Sequence, residues 1–291
     1  MPSKRRRLSA FVKILLSLFL VCGLLVAGAY YVLTTFERVD TVEAPEPGCR
    51  LDLSDGKYVL EDAQAVSATT VSGVAFSRDL PPEAVTVAYA TVWQESAFYN
   101  LEYGDRDSLG LFQQRPSQGW GTPEQVMDPL YSTNAFLDGL VTVPGYTELP
   151  VTEAAQEVQR SAFPDAYADH EPEGRAFASA LTGHSTAALT CRLPMPEEPV
   201  DVAAAVTARL ARDFGIEARA DGDGVVVDPT HLGEDGERLA WAVAHWAVAT
   251  AQSTGATTVE VAGHVWDRAA GNDAAWERAE APAGAPVVRI S

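Results

Sequence analysis

Gln94-Glu95-Ser96, followed by Gly104-Asp105-Arg106-Asp107-Ser108-Leu109-Gly110-Leu111-Phe112-Gln113-Gln114, is the stretch that decides how this 291-residue chain is read. Ahead of it Val85, Ala88, Tyr89 and Val92 repeat at the three-and-four spacing of a buried helix face. Asp79 followed by Pro81 and Pro82 predicts the start of that helix, with Asp79 as its cap and proline in its first turn. The helix runs to about Ser96, so Glu95 stands at its end. From Phe98 to Gly121 periodicity disappears and Gly, Asp, Gln and Trp dominate, the mark of a long irregular segment that carries function. A carboxyl at the end of an apolar helix, facing such a segment, suits a general acid, because partial desolvation raises its pKa toward the working range.

These residues resemble the superfamily of soluble lytic transglycosylases and goose-type lysozymes, which share a helical lysozyme-like fold and cleave the glycan strands of peptidoglycan. The superfamily's Glu-Ser followed by Asn is matched by Glu95-Ser96 and Asn100, and its Gly-Leu-Met-Gln by Gly110-Leu111-Phe112-Gln113, with Phe in place of Met. The Gly-Asp-Arg of goose-type enzymes is matched by Gly104-Asp105-Arg106. Clear resemblance covers about residues 80–135.

The resemblance implies Glu95 as catalytic acid and base, Asp105 as the group that positions an attacking water, and Gln113 in the sugar cleft. Ser96, Asn100 and Gln114 join it as candidate substrate-binding residues. Two departures stand out: the second Asp of goose-type enzymes is Arg115 here, and the later Ala-Tyr-Asn motif has no copy. The nearest candidate for that motif is Ala155-Gln156, with Gln159 one turn on. Each residue also has a structural reading: Asp105 and Asp107 as turn formers, and Trp120 either as a sugar-stacking platform or buried under the loop.

Outward from this stretch, helices are expected over residues 61–75, from Asp128-Pro129, from Pro150 to Thr152 onward, and over residues 174–182. Residues 192–200 contain three prolines in nine and read as a linker. Beyond it the rhythm predicts a helix from Val202 to Phe214 and a strand from Ile216 to Arg219. A turn at Asp221-Gly222-Asp223-Gly224 and a strand from Val225 to Asp228 follow. A helix from Glu237 to Gln252 and strands from Thr257 to Val261 and Val287 to Ile290 complete the chain. The Asp-Gly-Asp-Gly segment lacks the later ligands of a calcium loop and reads as a hairpin turn.

At the other end, Ile14 to Phe36 form 23 consecutive uncharged residues after Lys4, Arg5, Arg6, Arg7 and Lys13. As a helix they match the thickness of a bilayer, with positive flanks inside. A signal peptide cut near Ala27-Gly28-Ala29 is the competing reading. The expected organisation is a basic tail (1–13), a transmembrane signal anchor (14–36), a stalk (37–48), a lysozyme-like helical domain (49–191), the linker (192–200) and a small domain (201–291). The expected fold class is a mainly α lysozyme-like domain, with a single N-terminal transmembrane helix and a small C-terminal α+β domain.

Of three cysteines, Cys22 lies in the apolar run; Cys49 and Cys191 bracket the helical domain and, in an oxidising exterior, read as a disulfide, with two free thiols as the alternative. The formal charge is −19, and without the five basic groups of residues 1–13 the rest carries 16 basic and 40 acidic side chains, a formal −24. Such a chain repels phosphate backbones, so nucleic acid is not an expected partner. The five histidines show no metal-ligand spacing, and no metal or cofactor is expected.

The expected function is extracytoplasmic cleavage of peptidoglycan glycan strands at the cell membrane, with a cell-envelope protein as the candidate partner of residues 201–291. The alternative is a catalytically silent cell-wall binding or scaffold protein.

Overall fold

The computed structural model describes residue 26 and residues 47–53, 56–279 and 286–291. Residues 44–291 form one compact unit. The expected membrane span, 14–36, lies outside the described residues but for Val26.

The first sheet comes from segments that the sequence reading left without strands. β1 (Gly48–Leu53) and β2 (Gly56–Glu61) form an antiparallel hairpin, and β3 (Leu189–Arg192) pairs with the other edge of β1. Cys49 lies directly opposite Cys191 in that register, and the two are joined by a disulfide 142 residues apart in sequence.

The helices follow at once. α1 (Asp62–Ser77) is buried along most of its length, and the Glu61 backbone N–H donates to Gln64 Oε1 at 2.7 Å in a capping box. α2 (Pro82–Ser96) starts with Pro81 in the cap position; Asp79 makes no cap and instead holds a left-handed backbone, φ 52°. α3 (Pro123–Val126) leads to α4 (Pro129–Leu140), which Asp128 caps by accepting from the Leu130 N–H at 3.0 Å. α5 (Val151–Gln159) and α6 (Glu171–Leu181) complete this half.

After the proline-rich segment, α7 (Val202–Phe214) is capped by Asp201. A second sheet of six strands, all antiparallel, runs in the order β4 (Arg219–Asp221), β5 (Gly224–Val227), β9 (Val288–Ile290), β6 (Thr258–Val261), β7 (His264–Asp267), β8 (Trp276–Arg278). The turn expected at Asp221 to Gly224 is there, closing β4 onto β5. α8 (Gly236–Ala249) and the short α9 (Ala251–Thr254) lie between β5 and β6 in sequence.

The two halves share buried contacts. At Gly73 of α1 a Cβ atom would lie 2.6 Å from the carbonyl oxygen of Asp213 on α7, so only glycine permits this helix approach. The buried Asp213 carboxylate is held by Arg209 at 3.2 Å, Arg212 at 2.7 Å and the Trp246 indole N–H at 2.9 Å, which offsets the cost of removing its charge from water. His245 on α8, fully buried, lies within 2.8 Å of the Ala180 carbonyl through Nδ1, and its Nε2 accepts from the Ala188 N–H at 3.3 Å.

The expected fold class is therefore corrected. In place of a mainly α domain followed by a small α+β domain, about half of the described residues are helical and two antiparallel sheets accompany them. No helix among the described residues is long and apolar enough to cross a membrane. The physical reason lies in the strands: Cys49 and Leu51 alternate with the more exposed Arg50 and Asp52, a two-residue period that places β1 in a sheet.

Candidate active site

Glu95 occupies the last turn of α2 because the chain turns sharply just beyond it. Ala97 and Phe98 both adopt left-handed backbone, φ 49° and 62°, and Phe98 drives its ring inward against Tyr89 and Trp93 at centroid distances of 5.3 and 5.5 Å. The helix thus ends at a fixed point, with Glu95 half-buried at the wall of a cleft of about 1390 Å³.

Opposite the helix end, Leu109 and Gln114 exchange backbone hydrogen bonds of 3.0 and 3.1 Å, closing Gly110 to Gln113 into a tight turn. Gly110 has φ 78°, and a Cβ there would collide with the carbonyl oxygen of Val126, so this position requires glycine. Phe112 buries its ring in a stack on Phe136, centroids 4.7 Å apart, which anchors the turn from below.

Two side chains converge on Glu95. The Tyr167 hydroxyl donates to its Oε1 at 2.7 Å, and the Gln159 amide donates to the same oxygen at 3.2 Å. Gln159 also donates to the Phe112 carbonyl at 2.9 Å, which ties the end of α5 to the turn. Among the described residues no hydrogen bond falls on Oε2. Burial pushes the Glu95 pKa up, while the hydrogen bonds from Tyr167 and Gln159 pull against it. Tyr167, itself buried, is pushed up by desolvation and by the charge of Glu95. A carboxyl so placed keeps its proton to higher pH than an exposed one and can deliver it to a ligand in the cleft.

The other sequence candidates divide into cleft residues and ties. Asp105 lines the cleft with its side chain 86% exposed, 3.8 Å from Arg106. Gln113 lines the cleft too, its amide donating to the carbonyls of Tyr103 and Gly110, both at 3.2 Å. Trp120 is half-buried against the core and forms part of the cleft wall. Gln156 borders the cleft while clasping Ser161 through both amide atoms, at 3.0 and 3.1 Å. Gln114 lies on the cleft wall but is buried, donating to the Ser132 carbonyl at 2.9 Å.

Ser96 and Asn100 act on the backbone: Ser96 donates to the Leu111 carbonyl at 2.7 Å, and Asn100 to that of Met127 at 2.8 Å. Asp107 is a turn former. It accepts from the N–H and hydroxyl of Ser117 at 2.7 and 2.9 Å and from Arg115 at 3.0 Å, and these bonds, the Ser117 N–H first, hold its carboxyl down at about 2. Arg115 is thereby engaged as the partner of Asp107.

Tyr167 is the residue that sequence reasoning missed. Its signal was the dipeptide Ala166-Tyr167, the first two residues of the Ala-Tyr-Asn pattern, with Ala168 in place of Asn. Among the described residues no group of three or more His, Cys, Asp or Glu side chains is placed to hold a metal ion. No protein-family model matches the chain, and no curated protein matches it.

Proposed function

We propose that this chain cleaves the glycan strands of peptidoglycan, with Glu95 as the general acid that starts the cleavage. The observation that carries the reading is the half-buried Glu95 carboxyl, held on Oε1 by Tyr167 and Gln159 with its pKa raised, at the wall of a large cleft. Glycoside cleavage needs a group that protonates a poor leaving alkoxide, and the order of the Glu95-Ser96, Gly104-Asp105-Arg106 and Gly110 to Gln113 motifs supports that assignment. The disulfide between Cys49 and Cys191 supports action in an oxidising, extracytoplasmic compartment.

In the first step the Glu95 proton passes to the glycosidic oxygen as its bond to the anomeric carbon breaks. Two completions follow from the residues in the cleft. In hydrolysis water adds to the anomeric carbon and loses its proton to a carboxylate, with Asp105 as the candidate. In the anhydro-forming route the acetamido oxygen of the sugar bonds to the anomeric carbon as the glycosidic bond breaks, and Glu95, now ionised, takes the proton of the six-hydroxyl as that oxygen displaces the acetamido oxygen from the anomeric carbon.

Asp105 on the cleft wall favours hydrolysis. Mass spectrometry of the digested strands tests this, because an anhydro end is lighter than a reducing end by one water. Reducing ends that decline in Asp105→Asn support the hydrolytic route. Anhydro ends unchanged in that variant assign the other route, and no soluble fragments from wild type leave a wall-binding protein.

A further inference from the structure

We propose that Phe163 is a sugar-stacking platform of the cleft, a substrate-binding residue that fixes an N-acetylhexosamine ring within a few sugar units of Glu95. The inference rests on the glycan reading above and adds to it a specificity residue that no motif marks.

Phe163 is 74% exposed, the most exposed large apolar side chain among the described residues, and it lines the same cleft as Glu95. A singly exposed apolar side chain needs no explanation by itself. This ring stands on a loop that is fixed. Gln156 grips Ser161 through both its carbonyl and its N–H, at 3.0 and 3.1 Å. The Ser161 hydroxyl accepts from the Phe163 N–H at 3.2 Å, and the Thr152 hydroxyl donates to the Pro164 carbonyl at 2.6 Å. The Ala166 N–H donates to the Phe163 carbonyl at 3.2 Å. Pro164 restricts the backbone of the residue before it. The sequence thus spends several ordered contacts on holding an apolar ring outward.

The placement relative to the chemistry is equally defined. The loop begins after Gln159 and ends before Tyr167, the two residues that bond Glu95 Oε1 at 3.2 and 2.7 Å. Phe163 lies four residues from each, so chain length alone keeps it within about 14 Å of both anchors. Trp120, also on the cleft wall, has part of its indole packed on the core. Phe163 has the larger free face.

A flat apolar ring matches the axial C–H face of a pyranose, whose hydroxyls lie near the ring plane and stay wet. Because the loop is ordered before binding, little conformational entropy is lost on contact. A phosphate is not drawn to the face of a neutral aromatic ring, which carries the negative part of its quadrupole.

The test uses the full chain carrying Glu95→Gln, so that no turnover occurs, titrated calorimetrically with chitotetraose, an unbranched N-acetylglucosamine tetramer. Adding Phe163→Ala is expected to weaken binding about three- to tenfold, and Phe163→Tyr to preserve it. In the Glu95-intact enzyme the alanine change raises KM on glycan strands more than it lowers kcat. Equal affinity in the Phe163→Ala chain overturns the platform and leaves the cleavage proposal standing. Absence of saturable binding to the Glu95→Gln parent overturns both.

Discussion

The Tyr167 hydroxyl and the Glu95 carboxyl meet at 2.7 Å across 72 residues of sequence, and this bond opposes the upward push that burial gives the Glu95 pKa. Burial alone drives the carboxyl toward its neutral form; the phenol favours the ionised form by donating to it. Tyr167→Phe removes only the hydroxyl. The Glu95 pKa is expected to rise further, so the basic limb of the kcat/KM profile, where the general acid loses its proton, moves up by about one to two pH units. An unmoved limb separates Tyr167 from the chemistry.

Glu95 also costs stability. Its folded pKa lies above its ordinary 4.5, so below that value the folded and unfolded states are both protonated and no penalty exists. As pH rises through the folded pKa the unfolded state ionises more easily, and the folded state loses stability relative to it. Glu95→Gln is therefore expected to raise Tm by about a few degrees at pH 7 and to leave it unchanged near pH 4. Calorimetric scans at the two pH values check this, and an equal or lower Tm at pH 7 speaks against a desolvated carboxyl.

His245 behaves in the opposite sense. Burial pushes its pKa from 6.5 down to about 4, so the stability tied to the neutral ring is fully present above 6.5 and is lost as pH falls toward 4. A shift of that size corresponds to about 3 kcal/mol across the window. Urea midpoints measured from pH 7 to pH 4 should fall in wild type and fall less in His245→Gln, whose amide can donate to the Ala180 carbonyl without titrating. Parallel pH dependence in the two proteins contradicts the assignment.

The disulfide closes a loop of 142 residues between adjacent strands. In the loop-entropy model such a link stabilises the fold by about 5 kcal/mol through the unfolded chain. Double replacement of Cys49 and Cys191 by serine should lower the urea midpoint accordingly. An unchanged midpoint removes the disulfide from the stability of the fold.

What the sequence made legible was local. The end of α2 at Ser96, the Asp128 cap, the helix Val202–Phe214 and the Asp221 to Gly224 turn all rest on chemistry within a few residues, and each formed where expected. The opening of α2 did not follow, because Pro81 and Pro82 define the first turn and Asp79 is turned away in a left-handed conformation. β1, β7 and β8 are six residues or fewer, and their pairing is settled by partners elsewhere in the chain. The alternation at Cys49 and Leu51 is only a few residues long, and the sequence pattern after Cys49 reads as helical. The site shows the same divide. Glu95 stands out by its place at a helix end, whereas Tyr167 and Gln159 reach it only through the packing of α5 and the following turn onto α2.

The central claim is that Glu95 supplies the proton for glycan cleavage, and the release of soluble muropeptides from purified peptidoglycan by wild-type and Glu95→Gln full-length chains tests it most directly. Gln keeps the size of the side chain and can still accept from Tyr167, but it has no proton to give. Wild type is expected to release fragments, and the variant to do so about 10² to 10⁴ times more slowly while remaining folded. Release by Glu95→Gln within about tenfold of wild type contradicts general-acid catalysis at Glu95.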